Sequence, residues 1–154
     1  MLNETLDVYA VFSGRGVRCT NQRRAVFEEL VNLHTHPTAD ELFIVVRERL
    51  PSISLATVYN ALGVFAANGL CRRIPGSRTM GGCRYDADIS DHVHVSLPDG
   101  SMRDAPVYLS EQIVQSIPKP LVKELEQAMG FEFSQLSVHF EVRAESEPIN
   151  GSLA

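Results

Sequence analysis

The sequence predicts an α+β chain of two units, helices that end in a small hairpin followed by a sheet with a helix. Three observations carry this reading. The hydrophobic period is helical in the first half and becomes extended in the second. Proline and glycine cluster where one period gives way to the next. The charge is also split. Residues 1–86 hold ten arginines against eight acidic residues, whereas residues 87–154 hold four basic residues against eleven acidic ones. The net charge of −5 would argue against a nucleic-acid partner, but it averages a slightly basic front over a strongly acidic back. A chain of 154 residues that is 44% hydrophobic suffices for one ordinary domain or two small ones. The boundary is placed between residues 87 and 88.

Thr20 precedes a helix over 21–33, in which Ala25, Val26, Leu30 and Leu33 recur at helical spacing. Thr38 with Glu41 three residues on forms a capping box, and the helix that follows carries Leu42, Val45, Val46 and Leu50 up to Pro51. A third helix starts near Ser54, runs through Leu55, Val58, Leu62 and Phe65, and stops at Asn68-Gly69. Strands over 70–74 and 83–86 flank a turn that contains glycine and arginine. Helices followed by a small basic hairpin are the parts of a winged helix-turn-helix, whose second helix enters the major groove of DNA.

In the second half, 92–97 reads as extended, Pro98-Asp99-Gly100 as a turn, and 101–109 as a returning strand. Pro118 and Pro120 break the chain ahead of a helix over 121–129 that Gly130 caps. A final strand is expected over 131–142, with Phe131, Phe133 and Val138 on one apolar face. The tail from 145 is polar and expected to fray. An acidic sheet-and-helix unit suits dimerisation.

The three cysteines, Cys19, Cys71 and Cys83, form no C-x-x-C pair and read as reduced thiols. No apolar run approaches the ~18 residues of a membrane span, and the N-terminus has no signal-peptide pattern. The expectation is a cytoplasmic protein with no membrane contact.

His92-x-His94 is the sharpest chemical feature. Residues i and i+2 of a strand share a face, so two imidazoles would stand together as metal ligands. Asp86, Asp104 and His36 extend this to a mixed nitrogen and oxygen set that suits Fe²⁺, Mn²⁺ or Zn²⁺, and two carboxylates would neutralise one divalent ion. On the first unit, Tyr59 and Asn60 lie on the second motif helix, where Asn60 suits adenine. Ser54 and Thr57 sit at that helix's start, placed for phosphate, and Arg18, Arg23 and Arg78 supply positive charge.

Five segments, taken together and in order, resemble the ferric uptake regulator family. They are Arg18-Cys-Thr-Asn-Gln-Arg23, His36-Pro-Thr-Ala-Asp-Glu-Leu42, Ile53-Ser-Leu-Ala-Thr-Val-Tyr-Asn60, Arg84-Tyr-Asp86 and Ser90-Asp-His-Val-His94. The resemblance covers residues 14–104, with a weaker echo at 128–131. It implies an N-terminal winged-helix DNA-binding domain and a C-terminal α/β dimerisation domain. It also implies a homodimeric repressor on palindromic double-stranded DNA, and one regulatory divalent ion per subunit on His36, Asp86, His92, His94 and Asp104. Placing Asp104 requires a short deletion after His94. Aspartates at 86 and 104 resemble the peroxide-sensing branch, which implies Fe²⁺-catalysed oxidation of a ligand histidine and release of DNA. The tyrosine at 59 is implied to meet base edges or thymine methyls. The sequence departs from the family where two C-x-x-C pairs would hold a structural zinc, so no such zinc is expected. Val93 and Arg143 stand where an additional metal site would need ligands, and His139 reads as structural or surface.

Three rival readings remain open on sequence. Two histidines and a carboxylate resemble a non-haem iron enzyme site. A winged-helix protein indifferent to metal would keep the histidines by chance. A zinc or manganese sensor of the same family would use the same ligands.

Overall fold

A computed structural model describes residues 7–76 and 82–143. The chain divides into two compact units, Met1–Ile89 and Ser90–Ala154.

The first unit contains α1 (Val8–Gly14), α2 (Asn21–Asn32), α3 (Ala39–Arg49), α4 (Leu55–Ala67), β1 (Arg72–Ile74) and β2 (Arg84–Asp86). Each of the three longer helices opens on a side-chain cap. Thr20 Oγ1 accepts the Arg23 N–H, Thr38 and Glu41 form a reciprocal capping box, and Ser54 Oγ accepts the Thr57 N–H. α4 closes in a Schellman turn. Gly69, at φ +66°, sits past the cap; its N–H bonds Ala66 O, and Leu70 N–H bonds Phe65 O. The apolar stripes meet in one core, where the rings of Phe12, Phe27 and Phe65 stand 5.2–5.4 Å apart, centroid to centroid. The short α1, which supplies Phe12, has no counterpart in the sequence reading.

β1 and β2 pair antiparallel, with Arg72 opposite Asp86 and Ile74 opposite Arg84. The hairpin is narrow at its base, where a Cβ on Gly76 would lie 1.9 Å from the Gly82 carbonyl oxygen. Only glycine fits there. β2 also bridges the start of α3. Thr38 pairs with Arg84, and Tyr85 N–H bonds the Pro37 carbonyl. That contact brings the chain just ahead of α3 alongside β2. Arg78 and the polar tail lie outside the described residues.

The second unit contains β3 (Val93–Ser96), β4 (Met102–Asp104), α5 (Val107–Ser116), α6 (Lys119–Met129) and β5 (Val138–Glu141). The sheet order is β4-β3-β5, antiparallel on one side of β3 and parallel on the other. A turn with Gly100 at φ +82° joins β3 to β4. Ser110 Oγ accepts the Val93 N–H at 2.7 Å and pins α5 to the start of β3.

Two expectations for this unit need correction. The strand expected over 101–109 ends at Asp104, because Pro106 starts a helix whose 10 residues alternation had hidden. The strand expected over 131–142 is confined to Val138–Glu141. Phe131 and Phe133 precede it on exposed chain, so they share no sheet face with Val138.

Candidate metal centre and nucleic-acid interface

In the first unit, His36 and Asp86 face each other. His36 Nε2 lies 3.3 Å from Asp86 Oδ2, and both side chains are buried. His36 is the only non-glycine residue among those described with a positive φ, +50°. An L-residue there costs about 1–3 kcal/mol of backbone strain, so something must hold it. Arg84 does: its Nη1 donates to the His36 carbonyl at 2.8 Å and to Glu41 Oε2 at 3.0 Å. The same Glu41 oxygen accepts the Thr38 N–H of the capping box. One carboxylate thus joins the helix cap to the arginine that fixes the strained turn. Asp86 is steadied in turn, since its Oδ1 accepts the Asp88 N–H at 2.8 Å.

In the second unit, His92, His94 and Asp104 converge. Asp104 Oδ1 lies 3.2 Å from His92 Nε2 and 3.7 Å from His94 Nε2, and the two rings are 4.2 Å apart. Strand pairing sets this geometry, because His94 and Asp104 are register partners. The ring of His92 is oriented from behind. Its Nδ1 lies 2.8 Å from the Ser90 carbonyl. A carbonyl only accepts, so Nδ1 carries the proton of that hydrogen bond and the ring turns its Nε2 edge toward Asp104. A lone pair facing a carboxylate oxygen is favourable only with a proton or a cation between them. This donor set therefore fits a divalent ion, and the Ser90 carbonyl is placed where it would orient the His92 imidazole toward one. His139 lies beside the cluster as a structural tie, with its Nε2 2.7 Å from Ser96 Oγ. Burial, and secondarily His94, lower its pKa.

The residues expected from sequence to meet DNA line two separate clefts of the first unit. Arg18, Arg23, Thr57 and Asn60 line one groove, together with Gln22, which sequence reasoning missed. Arg23 Nη1 donates to the Arg18 backbone carbonyl at 3.1 Å, which holds the Arg23 side chain against that segment. Ser54 is spent on the helix cap, and its hydroxyl also meets Thr57 Oγ1 at 2.8 Å. Tyr59 lines a different cleft, with Asp40, Arg73 and Tyr85, and its hydroxyl donates to Asp40 Oδ2 at 3.0 Å. Arg84, Arg73 and Asp40 are the supporting residues that periodicity and motif reading passed over.

Cys71 is buried, and desolvation, with the Asp86 charge a lesser contributor, pushes its thiol up to about 12. It is protonated at neutral pH and unreactive. Treating the native protein with iodoacetamide at pH 7.5 should label Cys19 and Cys83 well before Cys71, with Cys71 reacting only on denaturation. Peptide mass spectrometry reads the order, and early labelling of Cys71 would contradict the burial argument.

Comparison with known proteins places this arrangement. The model of the Ferric uptake regulator family matches residues 14–105. The peroxide-responsive repressor of Staphylococcus saprophyticus is 41% identical over 89 residues, 58% of this chain and 59% of that protein. The peroxide operon regulator of Bacillus subtilis is 44% identical over 92 residues, 60% of this chain and 62% of that protein. These matches thus span less than two thirds of either relative's length. Among solved structures, the peroxide stress regulator of Campylobacter jejuni superposes with a TM-score of 0.61 at 29% identity, covering 88% of this chain and 91% of that one. The ferric uptake regulator of Vibrio cholerae shares the fold, with a TM-score of 0.65 at 21% identity, covering 89% and 99%. With winged-helix elements in the first unit, a mixed sheet in the second and a family match over most of the chain, this protein belongs to the ferric uptake regulator family.

Proposed function

We propose that this protein is a metal-dependent, homodimeric transcriptional repressor of palindromic operator DNA, released by peroxide. The observation that carries the reading is the turning of His92 Nε2, His94 Nε2 and one Asp104 oxygen toward each other behind an oriented imidazole. Neither half-set is complete as a ligand shell: His36 and Asp86 contribute two donors, and His92, His94 and Asp104 contribute three. The proposal joins all five on one Fe²⁺ or Mn²⁺ across the Ala87–Ser90 segment. When bound, the ion supplies charge that neutralises two aspartates, a tie between the two units and, as Fe²⁺, the electrons that peroxide chemistry needs. The chain's own residues do the rest. Arg84 and Glu41 hold His36 in its strained backbone, Ser90 sets the His92 tautomer, and ordering of the 87–90 segment fixes how two first units are presented to DNA.

Arg18 and Arg23 meet phosphate, and Asn60 and Tyr59 meet bases. The second unit is suited to pairing with a second copy. Leu121, Leu125 and Met129 form an exposed stripe on α6, and Tyr108 and Phe140 are exposed as well. The sequence has no C-x-x-C pair, so cohesion rests on these faces without a four-cysteine zinc. The peroxide branch is favoured because the two relatives above, at 41% and 44% identity, are named for peroxide response. The enzyme reading loses ground, because it leaves the arginine-lined groove without a role.

The test is retention of a random duplex-DNA pool by the full chain with Mn²⁺ and with chelator. Metal should raise affinity by about 5–150-fold, the usual range of such coupling, and should enrich palindromes. Equal retention in the two conditions would remove the switch. Exposing the Fe²⁺ form to peroxide should then add one oxygen to a peptide bearing a ligand histidine and release the DNA, while the Mn²⁺ form persists.

A further inference from the structure

We infer that Asp40 sets the base preference of Tyr59, making the pair an acceptor-only reading head that rejects guanine. The inference rests on the DNA-binding reading above and adds to it a residue and a rule of discrimination. Tyr59 stands half-exposed on α4, and its hydroxyl donates to Asp40 Oδ2 at 3.0 Å. The two helices are close in space there although the residues are 19 apart in sequence. Asp40 occupies the first turn of α3, between buried Ala39 and the capping-box residue Glu41, so its backbone is fixed. The same hydrogen bond raises the Tyr59 pKa and keeps the phenol protonated.

The chemistry follows from counting donors. A phenol has one proton to give, and here a carboxylate takes it. The phenol oxygen keeps its acceptor capacity, and the carboxylate has nothing but acceptors. Any base edge that meets this pair therefore meets acceptors and an aromatic ring. In the major groove adenine offers an amino donor beside its N7 acceptor, cytosine an amino donor and thymine a methyl group beside its O4 acceptor, whereas guanine offers acceptors alone, N7 and O6. Acceptor facing acceptor is unfavourable, so guanine is excluded, and the ring adds apolar contact with thymine. Without Asp40 the hydroxyl rotates freely and can donate to guanine. Arg73, exposed on the same cleft, supplies a cation for the neighbouring phosphate and offsets the repulsion that Asp40 brings. Asp40 is a positioning residue in this account, acting through Tyr59.

The test is selection from a randomised duplex pool by the full-length, Mn²⁺-loaded protein, comparing wild type with Asp40→Asn, Tyr59→Phe and the double variant. Asp40→Asn keeps the shape and replaces an acceptor with a donor. It should raise guanine relative to adenine or thymine by roughly tenfold at one position of each half-site, with the rest of the profile unchanged. Tyr59→Phe should flatten discrimination at that same position, and the double variant should add nothing further. A thermal melt of each variant shows whether it folds. An unchanged base profile in a folded Asp40→Asn protein overturns the inference, and so does a uniform loss of affinity across all sequences, which would make the hydrogen bond a structural staple. If wild type selects no sequence at all, the DNA-binding reading itself has failed, a result separate from either.

Discussion

Replacing His94 with alanine is expected to weaken Mn²⁺ binding by more than about 100-fold and to erase the metal dependence of DNA retention. Losing an outer-shell partner of a ligand typically costs 10–100-fold, and in the proposed site His94 is itself a ligand. It is fully buried, it is the register partner of Asp104, and its Nε2 lies 3.7 Å from the Asp104 oxygen that His92 also faces. Removing the imbalance of charge without removing shape gives a second measure. Asp104→Asn leaves an exposed side chain of equal size that can still offer a neutral oxygen, and it should weaken the metal by at least about 10-fold with the metal-free melting curve unchanged. The groove proposed to meet DNA lies in the other compact unit, so both variants should keep the affinity that wild type shows in chelator. Isothermal titration reads the first effect and filter retention the second. Wild-type Mn²⁺ affinity in a folded His94→Ala protein would take His94 out of the site.

The sequence was most legible where local chemistry is strong. Thr38 with Glu41, Ser54 ahead of α4 and Gly69 after it mark boundaries through hydrogen bonds and positive φ that need no tertiary contact. The pairing of His92 with His94 followed from strand period alone. Legibility failed where a partner distant in sequence decides. α5 was hidden because Val107–Ser116 carries apolar residues at exposed positions and follows a proline, Pro106, that also reads as a turn. Phe131 and Phe133 looked like sheet residues because aromatics favour strands, yet they stand on exposed chain outside the sheet.

The site divides in the same way. Its candidate ligands and their resemblance to a family were readable. Its supports were not, because Arg84 reaches the His36 carbonyl across 48 residues and Asp40 reaches Tyr59 across 19. Side-chain contacts of that kind have no period in sequence. The positive φ of His36 was equally invisible, since the residue before a proline is ordinarily extended.

Phe65→Ala is expected to destabilise the first unit by about 3–5 kcal/mol, the usual loss for an aromatic deleted from a core. Phe65 is fully buried on α4, and its ring centroid lies 5.4 Å from that of Phe12 and 5.3 Å from that of Phe27. Its removal opens a cavity and ends two ring contacts, each adding about 0.5–1.5 kcal/mol to the burial term. Domains of this size hold about 5–15 kcal/mol in all, so one substitution takes a large share. Phe65→Leu keeps most of the volume and should cost clearly less. Phe12→Ala should approach the loss of Phe65→Ala, because the three rings form a closed triangle. A small effect there would mean that α1 is an ornament on the unit, whereas a large one makes this short helix part of the core that positions α4. Urea titration of the full chain, read by circular dichroism, measures the midpoints. The transition of the first unit should move while that of Ser90–Ala154 stays, because the triangle lies wholly within the first unit.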